Sequence, residues 1–89
     1  MEIIEEPHYA EQINQLRVNW RRLDEALMTL GPALSLIPYK FPRVPGTNLR
    51  RIKLVGFPGI PPLSVFFSFT DTTVNLIAAE LIEFSEELF

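Results

Sequence analysis

The segment Leu63-Ser64-Val65-Phe66-Phe67-Ser68-Phe69-Thr70, followed after Asp71-Thr72 by Thr73-Val74-Asn75-Leu76-Ile77-Ala78-Ala79, decides the fold class. Both runs are rich in β-branched and aromatic residues, which suit a pleated strand. Alternation in the first run places the apolar side chains of positions 63, 65, 67 and 69 on one face. Two residues separate the runs, so we predict an antiparallel hairpin, although its turn lacks the glycine that tight hairpins favour.

A third strand is predicted before this hairpin, over residues 49–55. The residues between them, 56–62, are too rich in proline to pair in a sheet and are predicted to form a loop. Residues 49–79 should therefore form a three-stranded antiparallel meander, with its apolar face toward the N-terminal helices.

The N-terminal third predicts a short strand over residues 1–4 and helix from near His8. Its apolar side chains recur every three or four residues, which leaves open one long helix or two helices broken near 17–19, with Asn19 as the N-cap of the second. Gly31-Pro32 is predicted to end or kink the helix, with one further turn over 33–37. The apolar positions are Tyr9, Ile13, Leu16, Trp20, Leu23, Leu27 and Leu30.

Two further segments complete the prediction. Residues 38–48 contain three prolines and a glycine, so we expect a loop held in place by its aromatic side chains. In residues 80–89 the apolar side chains recur at helical spacing with glutamates on the opposite face, which predicts a short amphipathic C-terminal helix.

Composition limits the class of protein. The chain has 89 residues, of which 47% are hydrophobic, and this is enough for one folded domain over residues 1–89. It has no cysteine, which excludes disulfides, thiol catalysis and thiolate zinc sites, and we expect neither a cofactor nor a metal. Without a bilayer-length apolar run or a secretory leader, the expected location is cytoplasmic, with no membrane partner.

Positive charge is concentrated in one stretch. Between Lys40 and Lys53 the chain has five basic residues and no acid, whereas every charged residue after Leu54 is acidic. We consider two interpretations: a binding patch for a target or RNA, or the charged edge of a sheet that discourages aggregation. Alternation places Arg51 and Lys53 on one strand face and Arg50 on the other. The candidate patch consists of Arg43, Arg50, Arg51 and Lys53.

In element order and length, the chain resembles the RelE/ParE superfamily of bacterial toxin-antitoxin systems. The resemblance is carried by the opening residues 1–16, by the glycine and basic strand at 46–54, and by the apolar hairpin at 63–69 and 73–79. It implies an α+β fold in the order β-α-α-β-β-β-α: a short N-terminal strand, a two-helix hairpin, a three-stranded antiparallel meander and a short C-terminal helix. It therefore favours the helix pair over the single long helix.

The resemblance also implies a function. Members that cleave mRNA on the ribosome use cations on the basic strand and its neighbour, and a tyrosine, histidine or arginine near the C-terminus. Here Ser64 stands where such enzymes have an arginine, and the tail is acidic and ends in Phe89, which cannot exchange a proton. We therefore expect a toxin that inhibits growth by binding a macromolecular target such as DNA gyrase. A ribosome-dependent mRNA endoribonuclease and a non-toxic interaction module are the alternatives, and whether the chain is an enzyme stays open.

The expected partners follow from the same resemblance. A small and strongly apolar domain should leave an apolar groove uncovered, and such surfaces bind other molecules. In this superfamily the groove is covered by a cognate antitoxin, whose disordered tail folds on the toxin. We expect a cognate antitoxin, a second copy of the chain as a further candidate, and gyrase or the ribosome with its mRNA as target.

Overall fold

The computed structural model describes residues 2–82 and has an α+β fold, with two helices and one four-stranded mixed sheet. The elements are, in chain order, β1 (Glu2–Glu5), α1 (Pro7–Gln15), α2 (Trp20–Leu36), one turn of 3₁₀ helix (Pro38–Lys40), β2 (Arg50–Leu54), β3 (Leu63–Phe69) and β4 (Thr73–Leu81). The predicted α+β class is confirmed.

The strand order in the sheet is β1-β4-β3-β2. The pairs β2-β3 and β3-β4 are antiparallel, as the meander prediction requires, whereas β1 pairs with β4 in parallel. The N-terminal strand thus extends the predicted three-stranded meander to a four-stranded mixed sheet. A register shift between Phe66 and Phe67 leaves one extra residue, Ile77, on β4.

The β3–β4 turn has the predicted two-residue length and forms without glycine. The Thr70 amide donates to the Thr73 carbonyl oxygen over 2.8 Å, which closes the hairpin around Asp71 and Thr72. The Thr70 hydroxyl also accepts from the amides of Thr72 and Thr73, at 3.3 and 3.1 Å. A side-chain hydroxyl therefore satisfies the turn amides in place of the special backbone conformation that glycine allows.

The N-terminal helical segment is two helices, as the resemblance favoured. Arg17 adopts a left-handed conformation with φ of 55° between them, and the Asn19 Oδ1 accepts the Arg22 amide over 3.1 Å as the N-cap of α2. Across the break, Trp20 Nε1 donates to Asn14 Oδ1 over 2.8 Å. Local capping, which the uninterrupted apolar period conceals, therefore sets the break.

Helix α2 does not end at Gly31-Pro32 but continues to Leu36, with Pro32 inside it. A proline in a helix removes one intrahelical hydrogen bond, to the carbonyl four residues earlier. Here that carbonyl belongs to the exposed Met28, where water can replace the lost donor. The extra turn predicted over residues 33–37 is largely the end of this helix.

The prediction of helix from residue 80 onward is wrong at its start. Glu80 and Leu81 belong to β4, where they pair with Ser64 and Leu63 of β3. Continuing an existing ladder of backbone hydrogen bonds requires no new helix nucleus, so the sheet prevails over the helical spacing here. The rest of the predicted C-terminal helix, residues 83–89, lies outside the described residues.

Both helices and one face of the sheet share a single core. Its buried side chains are Tyr9, Ile13, Leu23, Ala26, Leu27 and Leu34 from the helices, Val18 from the segment between them, and Ile52, Leu54, Leu63, Val65, Phe67, Val74, Leu76 and Ala79 from the sheet. The alternate positions of the strands form the opposite surface, which we call the outer face. No helix of residues 2–82 is long and apolar enough to cross a membrane.

Candidate functional site

The basic strand β2 is an edge of the sheet. It pairs with β3 on one side. On the other side, of the residues that the structure describes, only 42–44 run beside its start, where the Arg51 amide donates to the Pro42 carbonyl over 2.9 Å. The main chain at Lys53 is beyond that short contact. Exposed Lys53 thus lies on an edge strand, the position where lysine is known to discourage pairing between sheets.

Arg50 lies on the helix side of β2 and fixes the preceding loop. Its Nη1 donates to the carbonyl oxygens of Tyr39 and Phe41, each over 2.9 Å, and its guanidinium stands 5.8 Å from the centre of the Phe69 ring. Phe41 in turn packs edge-to-face on Phe67, with ring centres 5.6 Å apart. The predicted pinning of this loop by aromatic side chains is confirmed for Phe41, and Arg50 is engaged within the fold.

Arg51 lies on the outer face and is held by β3. Its Nε donates to the Ser64 hydroxyl oxygen over 2.8 Å, and Ser64 is fully buried although it faces away from the core. A hydrogen bond from a charged donor is stronger than one between neutral groups and fixes the guanidinium plane. The resemblance predicted an arginine at position 64. The serine found there instead orients Arg51 of the neighbouring strand.

Strand register places the neighbours of these cations. Lys53 lies opposite Ser64, which lies opposite Glu80, so one row across the outer face has a cation, a hydroxyl and a carboxylate. The adjacent row has Arg51 opposite the half-buried Phe66. With strands about 4.8 Å apart, Glu80 lies roughly 10 Å from Lys53 across the sheet. The outer face is therefore mixed in charge near its cations.

Arg43 belongs to the other side. It forms an antiparallel bridge with Arg50, and residues opposite each other in such a bridge point to the same face. The four predicted patch residues are thus divided by the sheet: Arg51 and Lys53 lie together on the outer face, and Arg43 and Arg50 lie on the helix side.

The structure contains a second candidate site, which is acidic and apolar and was not anticipated from the sequence. Glu5 of β1 and Asp24 of α2 border the same cleft. Partial burial raises the pKa of the Glu5 carboxyl, and the negative charge of Asp24 raises it further. Burial and these two carboxylates also raise the pKa of Tyr9, whose buried hydroxyl has no hydrogen-bond partner in residues 2–82. Glu5 and Asp24 are distant in sequence, and the parallel pairing of β1 with β4 sets Glu5 opposite Leu76, which borders the same cleft.

The described part of the chain contains no group of three or more carboxylate or imidazole side chains placed to share a metal ion. Searches with the sequence and the coordinates found no matching protein-family model, curated protein or solved structure.

Proposed function

We propose that this chain is the toxin component of a toxin-antitoxin pair, as its resemblance to the RelE/ParE superfamily implies. It arrests growth by binding a macromolecular target through its outer face, and a cognate antitoxin neutralises it. The observation that supports this proposal best is the placement of Arg51, fixed by Ser64, beside Phe66 and Lys53 on an edge of the sheet. Arginine and aromatic side chains held in place are the groups that contribute most to protein interfaces.

The charge on the outer face favours a protein target over RNA. A groove for a phosphate backbone needs cations without nearby acids, because each carboxylate repels the phosphates. Glu80 shares a row with Ser64 and Lys53, so a polyanion lying along that row would meet a negative charge. A protein surface with both signs of charge is complementary to this row, which favours a protein target, such as gyrase, over RNA.

The test is induction of the intact gene alone in a bacterium, with growth and target activity followed together. We expect the unaltered chain to arrest growth and the double variant Arg51→Ala/Lys53→Ala to lose arrest. Arg43→Ala, an exposed cation on the other side of the sheet, is the matched control and should still arrest growth. The purified chain should also inhibit supercoiling by gyrase.

The alternatives correspond to distinct outcomes of this experiment. Arrest accompanied by cut, ribosome-bound message would replace target binding with mRNA cleavage. Induction without any growth defect would leave a non-toxic interaction module and contradict the proposal.

A further inference from the structure

A cleft separates β1 from α2 on the helix side of the sheet. It has a volume of about 480 Å³, its floor includes Leu76, and its walls include Ile3 and Glu5 of β1 and Asp24 and Met28 of α2. The cleft is on the opposite side of the sheet from Arg51 and Lys53. It is therefore separate from the surface discussed above.

The main chain along this cleft is an open sheet edge. The amides of Glu2 and Glu6 donate to the carbonyls of Thr72 and Leu76, each over 2.9 Å, so the even-numbered residues of β1 turn their polar groups toward β4. Residues Ile3 and Glu5 consequently point their N–H and C=O groups the other way. No strand within residues 2–82 lies on that side. Such an edge is a template for an added strand.

The side chains next to this edge are apolar and accessible. Ile3 is 40% exposed and Met28 is 76% exposed, although both border the cleft. In a strand added beside β1, every second side chain would point to the helix side and enter the cleft. Burial of these two residues would then contribute to binding.

The charge of the cleft specifies what the added strand must carry. Glu5 and Asp24 border the same cleft, where burial and then the negative charge of Asp24 raise the pKa of Glu5, and neither carboxylate forms a salt bridge with any cation of residues 2–82. A lysine or arginine placed between them would remove this repulsion. The complementary ligand is therefore apolar with a basic residue.

A second copy of the same strand does not meet this requirement. Strand β1 begins and ends with acids, Glu2 and Glu5, and Glu6 follows it. Pairing two copies of β1 would set carboxylates against carboxylates, and like charges on neighbouring strands are destabilising. The charge pattern thus selects a different, basic segment.

We propose that the β1-α2 cleft binds an extended apolar peptide segment of a partner protein, which adds to the free edge of β1 and places a Lys or Arg side chain between Glu5 and Asp24. Main-chain pairing with Ile3 and Glu5 provides part of the affinity, and the cleft selects the side chains. The inference does not depend on the toxin proposal, because peptide binding is measured without reference to growth.

The test is selection of displayed short random peptides on the purified full-length chain, followed by affinity measurement with synthetic peptides. We expect enriched peptides to be rich in β-branched residues, with a Lys or Arg at one fixed position. Asp24→Asn should weaken their binding by about tenfold, whereas Glu11→Gln, an exposed carboxylate of α1, should leave it unchanged. Asp24→Lys should abolish the preference for a basic residue, because the new cation pairs with Glu5.

A second measurement tests strand addition itself. Peptides methylated on the alternate backbone nitrogens that face β1 should lose binding, and peptides methylated on the other alternate set should keep it. Circular dichroism establishes whether each variant is folded. If Asp24→Lys does not fold, Met28→Lys provides a second change in the cleft. Failure to enrich peptides, enrichment of peptides without a cation, or equal binding by both methylated sets would overturn the proposal.

Discussion

The Nε of Arg51 donates to the hydroxyl oxygen of Ser64 across the β2-β3 pair, over 2.8 Å. Because Ser64 is fully buried, water does not replace the arginine as its partner. Ser64→Ala should therefore lower the free energy of unfolding by about 1 kcal/mol and weaken growth arrest, since Arg51 loses its fixed orientation. Chemical denaturation and an induction assay measure the two effects. Ser68→Ala, on the same face of the same strand, is the control, and an equal loss in both variants would contradict this role for Ser64.

Gln12 provides a hydrogen-bond acceptor at the end of β4, where no strand of residues 2–82 pairs on the β1 side. Strand β1 stops opposite Leu76, and beyond it the Ala79 amide donates to Gln12 Oε1 over 2.8 Å. Ala79 is buried, so Gln12→Ala should leave this amide unsatisfied and destabilise the fold by about 1–3 kcal/mol in urea unfolding. Gln15→Ala, an exposed position on the same helix, should change stability by less than about 0.5 kcal/mol. Similar values for both would show that the Ala79 amide finds another partner.

Much of the fold could be predicted because its signals are local. The alternation around Val65 and Phe67 defined the core face of β3, and the spacing from Tyr9 to Leu30 defined the helical surface that packs on it. The Asn19 cap needs only three residues to recognise. By contrast, the parallel pairing of β1 and the extension of β4 depend on partners far away in sequence, which no local pattern specifies.

The candidate site was likewise predictable only where its signals are local. Strand alternation alone separated Arg51 and Lys53 from Arg50, and the structure has this arrangement. The position of Arg43 depends on a bridge formed by a loop without regular structure, so the sequence could not assign its face. Ser64 could be recognised as a partner of Arg51 only once the β2-β3 register was known.

Arg50 should be a stability residue. Arg50→Met would keep much of the apolar contact with Phe69 but remove the donor shared by the Tyr39 and Phe41 carbonyls. Since hydrogen bonds from charged groups contribute about 1.5–3 kcal/mol, we expect a loss in that range by thermal or chemical denaturation. Arg43→Met, an exposed neighbour on the same side, should be nearly neutral. If Arg50→Met instead abolished growth arrest at unchanged stability, Arg50 would belong to the target surface.

Glu5 should make stability depend on pH. Partial burial and Asp24 raise its folded-state pKa above the usual 4.5, so the ionised carboxylate disfavours the folded state. This penalty is fully present above the folded-state pKa. It decreases as the pH falls through that value, and it vanishes below the unfolded pKa, where both states are protonated.

Glu5→Gln removes the ionisable group and therefore the penalty. We expect the variant to be more stable than the unaltered chain at about pH 7, by no more than roughly 0.5 kcal/mol because Glu5 is exposed, and equally stable near pH 3. Urea unfolding of both proteins across this range gives the difference as a function of pH, with Glu11→Gln as an exposed carboxylate control. A gain that persisted unchanged at low pH would assign the effect to packing, and a loss at neutral pH would mean that ionised Glu5 stabilises the fold.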